Sequence, residues 1–236
     1  NECYNYGQVD ADATGLYAYY GGIIGRAIEG APISNCANYG KLTFKHDVSA
    51  CTRSDVYSGE SPVKSFYGGV VGYAQAIVLN CHNYGVGEYH TASMESCCGG
   101  VVGYATAVAA ISKSSNSGAT TCYLNHSSNV LSDYTGAEPY HYIGGVIGNG
   151  IANVSDIVNN EEGALTVYSN VGGDFGGVIG KAQGNNTKLE NKAPVTLDFT
   201  YLNQTLSNKV IMVGGVIAKN YAATSTNKIT VDNCNN

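Results

Sequence analysis

At 236 residues, with 44% hydrophobic and 13% charged residues, the chain is long enough for a sizeable core and too weakly charged for a disordered acidic segment. A net charge of −6 without any run of Lys or Arg argues against nucleic acid and against an anionic membrane surface as partners. No membrane insertion is expected either, because the longest largely apolar stretch, 101–111, is about half the roughly 20 residues a spanning helix needs.

The chain opens at Asn1 with "NECYNYG" and without Met, which reads as a processed product or a piece of something longer. "DADATG", Asp10 to Gly15, reads as a turn; it lacks the further ligands of a calcium loop. At 19–27 comes "YYGGIIGRA", and the pattern returns as "FYGGVVGYA" from 66, "CCGGVVGYA" from 97, "YIGGVIGNG" from 142, "DFGGVIGKA" from 174 and "MVGGVIAKN" from 212. The leading glycines are Gly21, Gly68, Gly99, Gly144, Gly176 and Gly214, so the period varies between about 31 and 47 residues. A second element is steadier. Asn38, Asn83, Asn116, Asn159 and Asn191 follow their glycines by about 15 to 17 residues.

The unit is therefore strand, short turn, strand and a corner near Asn-x-Gly, followed by a variable insert. Glycine every few residues among Val, Ile, Thr and Tyr disfavours helix. Units that recur in sequence bury their strands against the copies before and after. The expected fold is all-β: a β-solenoid, or β-helix, of about six coils forming one repeat domain over 1–236, with variable inserts on one side. Two residues before each Asn stand Cys3, Cys36, Cys81, Ser114, Ile157 and Leu189, a mixture that fits an inward-facing core ladder. Ile33, Val78, Ile111 and Val154 form a second apolar ladder. The Asn column itself reads as stacked amides at a corner whose backbone is left-handed. In the last copy Ala218 replaces the third glycine, so that position requires smallness rather than a positive φ, and the Asn corner is blurred between Asn227 and Asn235.

"GGVVGYA" followed by "NCHNYG" and an apolar strand resembles the GLUG-type repeat of bacterial surface proteins, including adhesins and non-catalytic regions of immunoglobulin-A peptidases. The resemblance covers nearly the whole chain in five or six copies. It implies a stalk or display module rather than one particular activity. The inserts at 41–67 and 119–143 are longer than the resemblance leads one to expect.

The candidate chemistry is sparse. Cys51, Cys97, Cys98 and Cys122 lie outside the core ladder and are the candidate disulfide cysteines, Cys51 pairing with Cys97 or Cys98 and the remaining one with Cys122. Cys81 beside His82 lacks the spacing of a zinc site. His46, His82, His90, His126 and His141 do not recur in register and the acidic residues are scattered, so neither catalysis nor any metal or cofactor is expected. Four N-x-S/T sequons, at Asn125, Asn153, Asn185 and Asn203, are candidate glycosylation sites.

Two features point toward assembly. "NECYNYG" and "DNCNN" place the same motif at both ends without a polar cap, as expected of a fragment of a longer array or of a subunit stacking head to tail. The residues before the glycines, Tyr20, Tyr67, Cys98, Ile143, Phe175 and Val213, form an apolar column that reads as packing against an insert or a neighbouring subunit. The expected role is a non-catalytic extracellular or cell-surface structural protein, a filament subunit or adhesin stalk that self-associates. The alternative is a carbohydrate-binding or polysaccharide-acting solenoid that meets surface glycans through exposed tyrosines.

Overall fold

The structure is a computed structural model that describes residues 2–28, 30–48, 63–124, 139–199, 210–220 and 231–232. β1 (Tyr4–Asn5) and β2 (Val9–Thr14) belong to a first, partial coil. β2 corrects the turn expected at 10–15: Val9, Ala11 and Ala13 alternate with exposed Asp10, Asp12 and Thr14, the period-two pattern of a strand with one wet face. A complete coil follows. It comprises β3 (Tyr17–Gly21), β4 (Ile24–Ala27), the short pair β5 (Ile33–Ser34) and β6 (Ala37–Asn38), and β7 (Leu42–Asp47). The same order restarts at Lys64, Glu95, Tyr140, Gly173 and Ile211.

Each strand pairs in parallel with its counterpart one coil away, without slippage; Tyr20 lies against Tyr67, Tyr67 against Cys98, and Cys98 against Ile143. Among the described residues this makes four parallel sheets, of six strands around β3, six around β4, nine around β5 and β6, and six around β7. They are called the first to fourth sheets below. The molecule is a β-solenoid of about six coils.

The coil encloses two cores. Between the second and third sheets lie Val70, Val71, Ala74, Val78 and Cys81 with their counterparts in other coils. Between the first and fourth sheets lie Tyr20, Leu42, Phe44, Tyr67, Tyr89, Cys98, Cys122, Ile143, Leu165 and Phe175. The column before the glycines is therefore no outer interface. Tyr20, Tyr67, Cys98, Ile143 and Phe175 are buried inside the second core, because the chain bends inward at Gly-Gly and leaves interior on both sides of the bend. Val213 continues the column in the last coil and is 58% exposed. Each fully buried Val or Ile in these columns contributes about 1.5–3 kcal/mol.

The glycine pair and the Asn column form the waist between the cores. A side chain on Gly69 would meet the Gly100 carbonyl oxygen at 1.9 Å and Asn83 Cγ at 2.5 Å. One on Gly68 would meet the Val71 carbonyl oxygen at 2.0 Å across the tight bend. None of the motif glycines has positive φ, so absence of a side chain, not backbone freedom, is what the pair supplies. The left-handed residues are also elsewhere than expected. Asn35, Asn80, Lys113, Asp156 and Lys188, at φ of 56°, 53°, 52°, 56° and 52°, precede the Asn column by three positions. They make the corner, while the column residues themselves lie in extended strands.

Candidate functional site

The Asn column is a continuous hydrogen-bonded line along the solenoid. Asn5 Nδ2 donates to Asn38 Oδ1 at 2.7 Å, Asn38 to Asn83 at 2.8 Å, Asn83 to Asn116 at 2.9 Å, Asn116 to Asn159 at 3.1 Å and Asn159 to Asn191 at 3.0 Å. The second Nδ2 proton goes to a main-chain carbonyl, as from Asn83 to Gly85 at 2.9 Å and from Asn159 to the motif glycine Gly177 at 3.0 Å. Asn38, Asn83, Asn116 and Asn159 are fully buried, which an amide tolerates only when its donors and acceptors are matched. The chemistry of this feature is structural.

The core ladder follows the waist. Cys36, Cys81, Ser114, Ile157 and Leu189 are buried in one column, and Cys3, in the partial coil, is exposed. Burial pushes the Cys81 thiol up to about 11. His82 points the other way, its ring nitrogens 2.8 Å from Ser115 Oγ and 3.0 Å from Asn80 Oδ1, so it cannot share an ion with Cys81. Among the described residues no group of three or more His, Cys, Asp or Glu is placed to hold a metal.

Of the disulfide candidates, Cys51 lies outside the described residues. Cys97, Cys98 and Cys122 are buried free thiols here. Cys97 faces outward beneath Tyr104 and Tyr142, whereas its neighbour Cys98 faces the second core, as does Cys122. Of the sequons, Asn125 and Asn203 lie outside the described residues. Asn153 and Asn185 are exposed on adjacent rungs, Asn153 Oδ1 accepting from the Asn185 amide at 3.0 Å.

Three surfaces could meet a ligand. At the exits of the fourth sheet, a cavity of about 320 Å³ is lined by Asp12, Lys45, His46, Asp47, His90 and Tyr123, among others. His46 forms a buried pair with Ser93 that sequence reading passed over. Its Nε2 faces the Gly15 carbonyl oxygen at 2.8 Å, an acceptor only, so Nε2 carries the proton and Nδ1 accepts from Ser93 Oγ at 2.6 Å. Burial lowers the His46 pKa and keeps the ring neutral. Ser93 is fully buried and does not line the cavity, so its hydroxyl cannot reach a substrate as a nucleophile would have to.

The second surface is the outer cleft between the first and second sheets. Tyr19 stacks on Phe66, Tyr73 on Tyr104, and Arg26 lies 5.2 Å and 5.6 Å from the Tyr19 and Tyr73 ring centres. Further along, Lys181 covers Tyr142 at 4.7 Å, and the Tyr140 hydroxyl donates to Asp174. Asp174 is fully buried, which raises its carboxyl pKa; the Tyr140 bond and the charges of Lys219 and Lys181 pull the other way. Asn149 Oδ1 and Asp174 Oδ2 are buried without a hydrogen-bond partner.

The third is a tyrosine stack at the Asn-x-Gly corner. Tyr6, Tyr39 and Tyr84 lie 4.9 Å and 4.8 Å apart and are 73%, 44% and 45% exposed. Their faces cover one another, leaving hydroxyl edges toward solvent.

These features define a coil-stacked all-β solenoid whose polar groups are spent mainly on joining one coil to the next. Comparison with protein-family profiles, curated proteins and solved structures gives no match.

Proposed function

We propose that the chain is a non-catalytic, extracellular structural repeat module, a filament subunit or surface stalk that extends by adding rung to rung. The observation carrying this is the uninterrupted register. Parallel main-chain pairing, the Asn line and two apolar cores run through the coils together, so the surface one coil offers is the surface the next one needs. Among the described residues the outer edges of β1, β2, β3 and β4 pair with no further strand. A head-to-tail contact there, made with a second copy, propagates into a filament. The GLUG-type motif supports the same role, and low charge with abundant tyrosine supports a surface location.

Carbohydrate binding is the weaker reading. The tyrosine faces a sugar ring would stack against are taken up by neighbouring rings 4.8–5.2 Å away.

The test is electron microscopy with light scattering of the full chain, beside a glycan array and an Asp12→Pro variant. Val9 donates its amide to the carbonyl of Lys41, immediately before β7, so by strand alternation the Asp12 amide faces the free edge, where proline removes the donor a new rung would use. Fibres that Asp12→Pro abolishes, with no glycan binding, are expected. Monodisperse monomers that bind sugar would overturn the proposal in favour of the alternative.

A further inference from the structure

The cysteines of the third complete coil carry an inference independent of assembly. Residues before the glycines in the first sheet face residues of the fourth sheet across the second core. In the first two complete coils these facing pairs are aromatic: Tyr20 with Phe44, ring centres 5.0 Å apart, and Tyr67 with Tyr89, 5.4 Å apart. Register carries the pair onward. Cys98 lies beside Tyr67, and Cys122 beside Tyr89, so the next facing pair is Cys98 with Cys122. After them come Ile143 and Val167. Both cysteines have no exposed surface, and their thiols lie within hydrogen-bonding reach of each other.

We propose that Cys98 and Cys122 form a disulfide across the second core, stapling the first sheet to the fourth at the middle of the solenoid.

The other described thiols are placed differently. Cys97, next in sequence, faces the outer cleft on the opposite side of its strand. Cys3, Cys36 and Cys81 stand one above another in a single column, and Cys36 is also within hydrogen-bonding reach of Cys3 and Cys81. A bond there would join rungs of one sheet rather than two facing sheets, and the Cys36 and Cys81 thiols donate to main-chain carbonyls, Cys36 to Ser34 at 3.3 Å and Cys81 to Leu79 at 3.5 Å. Two facing sheets can be joined by such a bond, as in immunoglobulin domains. Here the sulfurs must close from hydrogen-bonding contact to about 2.05 Å, drawing the two sheets together locally.

The oxidant is a low-molecular-weight disulfide. The Cys98 thiolate attacks it, forming a mixed disulfide and releasing one thiol. Cys122, as thiolate, then displaces the second thiol from the Cys98 sulfur. Overall, two protein thiols and one small disulfide become one protein disulfide and two small thiols. Because burial suppresses the thiolate of Cys98 in the folded chain, the exchange belongs to folding, while the core is still open. Once closed, the bond is shielded from reductant unless the protein unfolds.

The full chain is reduced, unfolded and refolded in a mixture of reduced and oxidised glutathione, then alkylated in denaturant and digested with trypsin. Lys113 separates the two cysteines, so the bond joins two peptides. Because Cys81, Cys97 and Cys98 share the peptide 65–113, fragmentation of the linked pair by tandem mass spectrometry places the bond on one of them. The expected link survives Cys97→Ser, disappears in Cys98→Ala and in Cys122→Ala, and raises the urea midpoint of the wild-type chain over the same chain refolded with reductant. Full alkylation of both residues in wild type, or a link from either to Cys51, Cys81 or Cys97, would overturn the proposal. The wild-type digest decides it even if a variant fails to fold.

Discussion

Replacing Asn83 by Ala removes the middle of the waist. Asn83 donates to Asn116 and to Gly85, each at 2.9 Å, and accepts from Asn38 at 2.8 Å. Three bonds at about 0.5–1.5 kcal/mol each are lost, and a buried Gly85 carbonyl and an Asn38 N–H are left unmatched at about 1–3 kcal/mol apiece. Asn116 Oδ1 keeps one donor, the Gly118 amide at 3.2 Å. Allowing for partial relaxation, the net loss is about 3–5 kcal/mol. Asn5 makes the equivalent bonds in the solvent-accessible partial coil, and Asn5→Ala costs about 1 kcal/mol or less because water replaces them. Urea unfolding followed by circular dichroism compares the two, and hydrogen exchange at Gly85 and Gly118 locates the damage. A cost below 1 kcal/mol for Asn83→Ala, or equal costs for both variants, would refute the reasoning. Gly69→Ala is not rescued by Asn83→Ala, since the Gly100 carbonyl at 1.9 Å blocks the added methyl independently.

Lys113 is exposed and holds φ of 52°, so Lys113→Gly relieves a left-handed backbone and stabilises the chain by about 0.5–1 kcal/mol, read as a raised urea midpoint. Asn186 takes a fully buried place between Val154 and Val231 with Oδ1 unmatched, and Asn186→Val stabilises by about 1 kcal/mol; a lowered melting temperature would show that its 2.6 Å bond to the Gly184 carbonyl matters more. For pH, burial places the folded pKa of His46 and His82 below the ordinary 6.5. The unfolded chain therefore binds more protons, and stability contributed above pH 6.5 is lost as pH falls through the window from 6.5 to the folded values. His46→Gln flattens that part of a melting-temperature profile taken from pH 8 to 5. Expression in a host that glycosylates Asn gives at most one glycan between Asn153 and Asn185, because adjacent rungs stand only about 4.8 Å apart; intact mass showing both occupied would contradict this.

Much of the architecture was legible because repetition exposes it. A column that accepts Cys, Ser, Ile and Leu two places before Asn had to be apolar interior, and the amide column was visible as a run of Asn. The second core was not legible. Apolar residues on either side of Gly-Gly look like two faces of one strand, one inside and one outside, and nothing in composition shows that the chain bends there so that both face inward. The left-handed corner escaped for a related reason. Asn occupies both Asn35 and Asn38, while Lys113, Asp156 and Lys188 hold the same backbone with no residue-type signal. In contrast, the alternation of Val9, Ala11 and Ala13 was readable and lost to the turn-like look of two aspartates. Spacing could not show which of Cys97 and Cys98 meets Cys122, since neighbours on a strand face opposite ways.

The central claim is that one buried amide line ties coil to coil and, with the glycine pair, divides the interior. Nuclear magnetic resonance of the Asn side-chain amides tests it most directly. The account predicts that the Nδ2 protons of Asn38, Asn83, Asn116 and Asn159 exchange with solvent only as the solenoid unfolds, far more slowly than those of exposed Asn153. Exchange of all these amides at the same fast rate would contradict it.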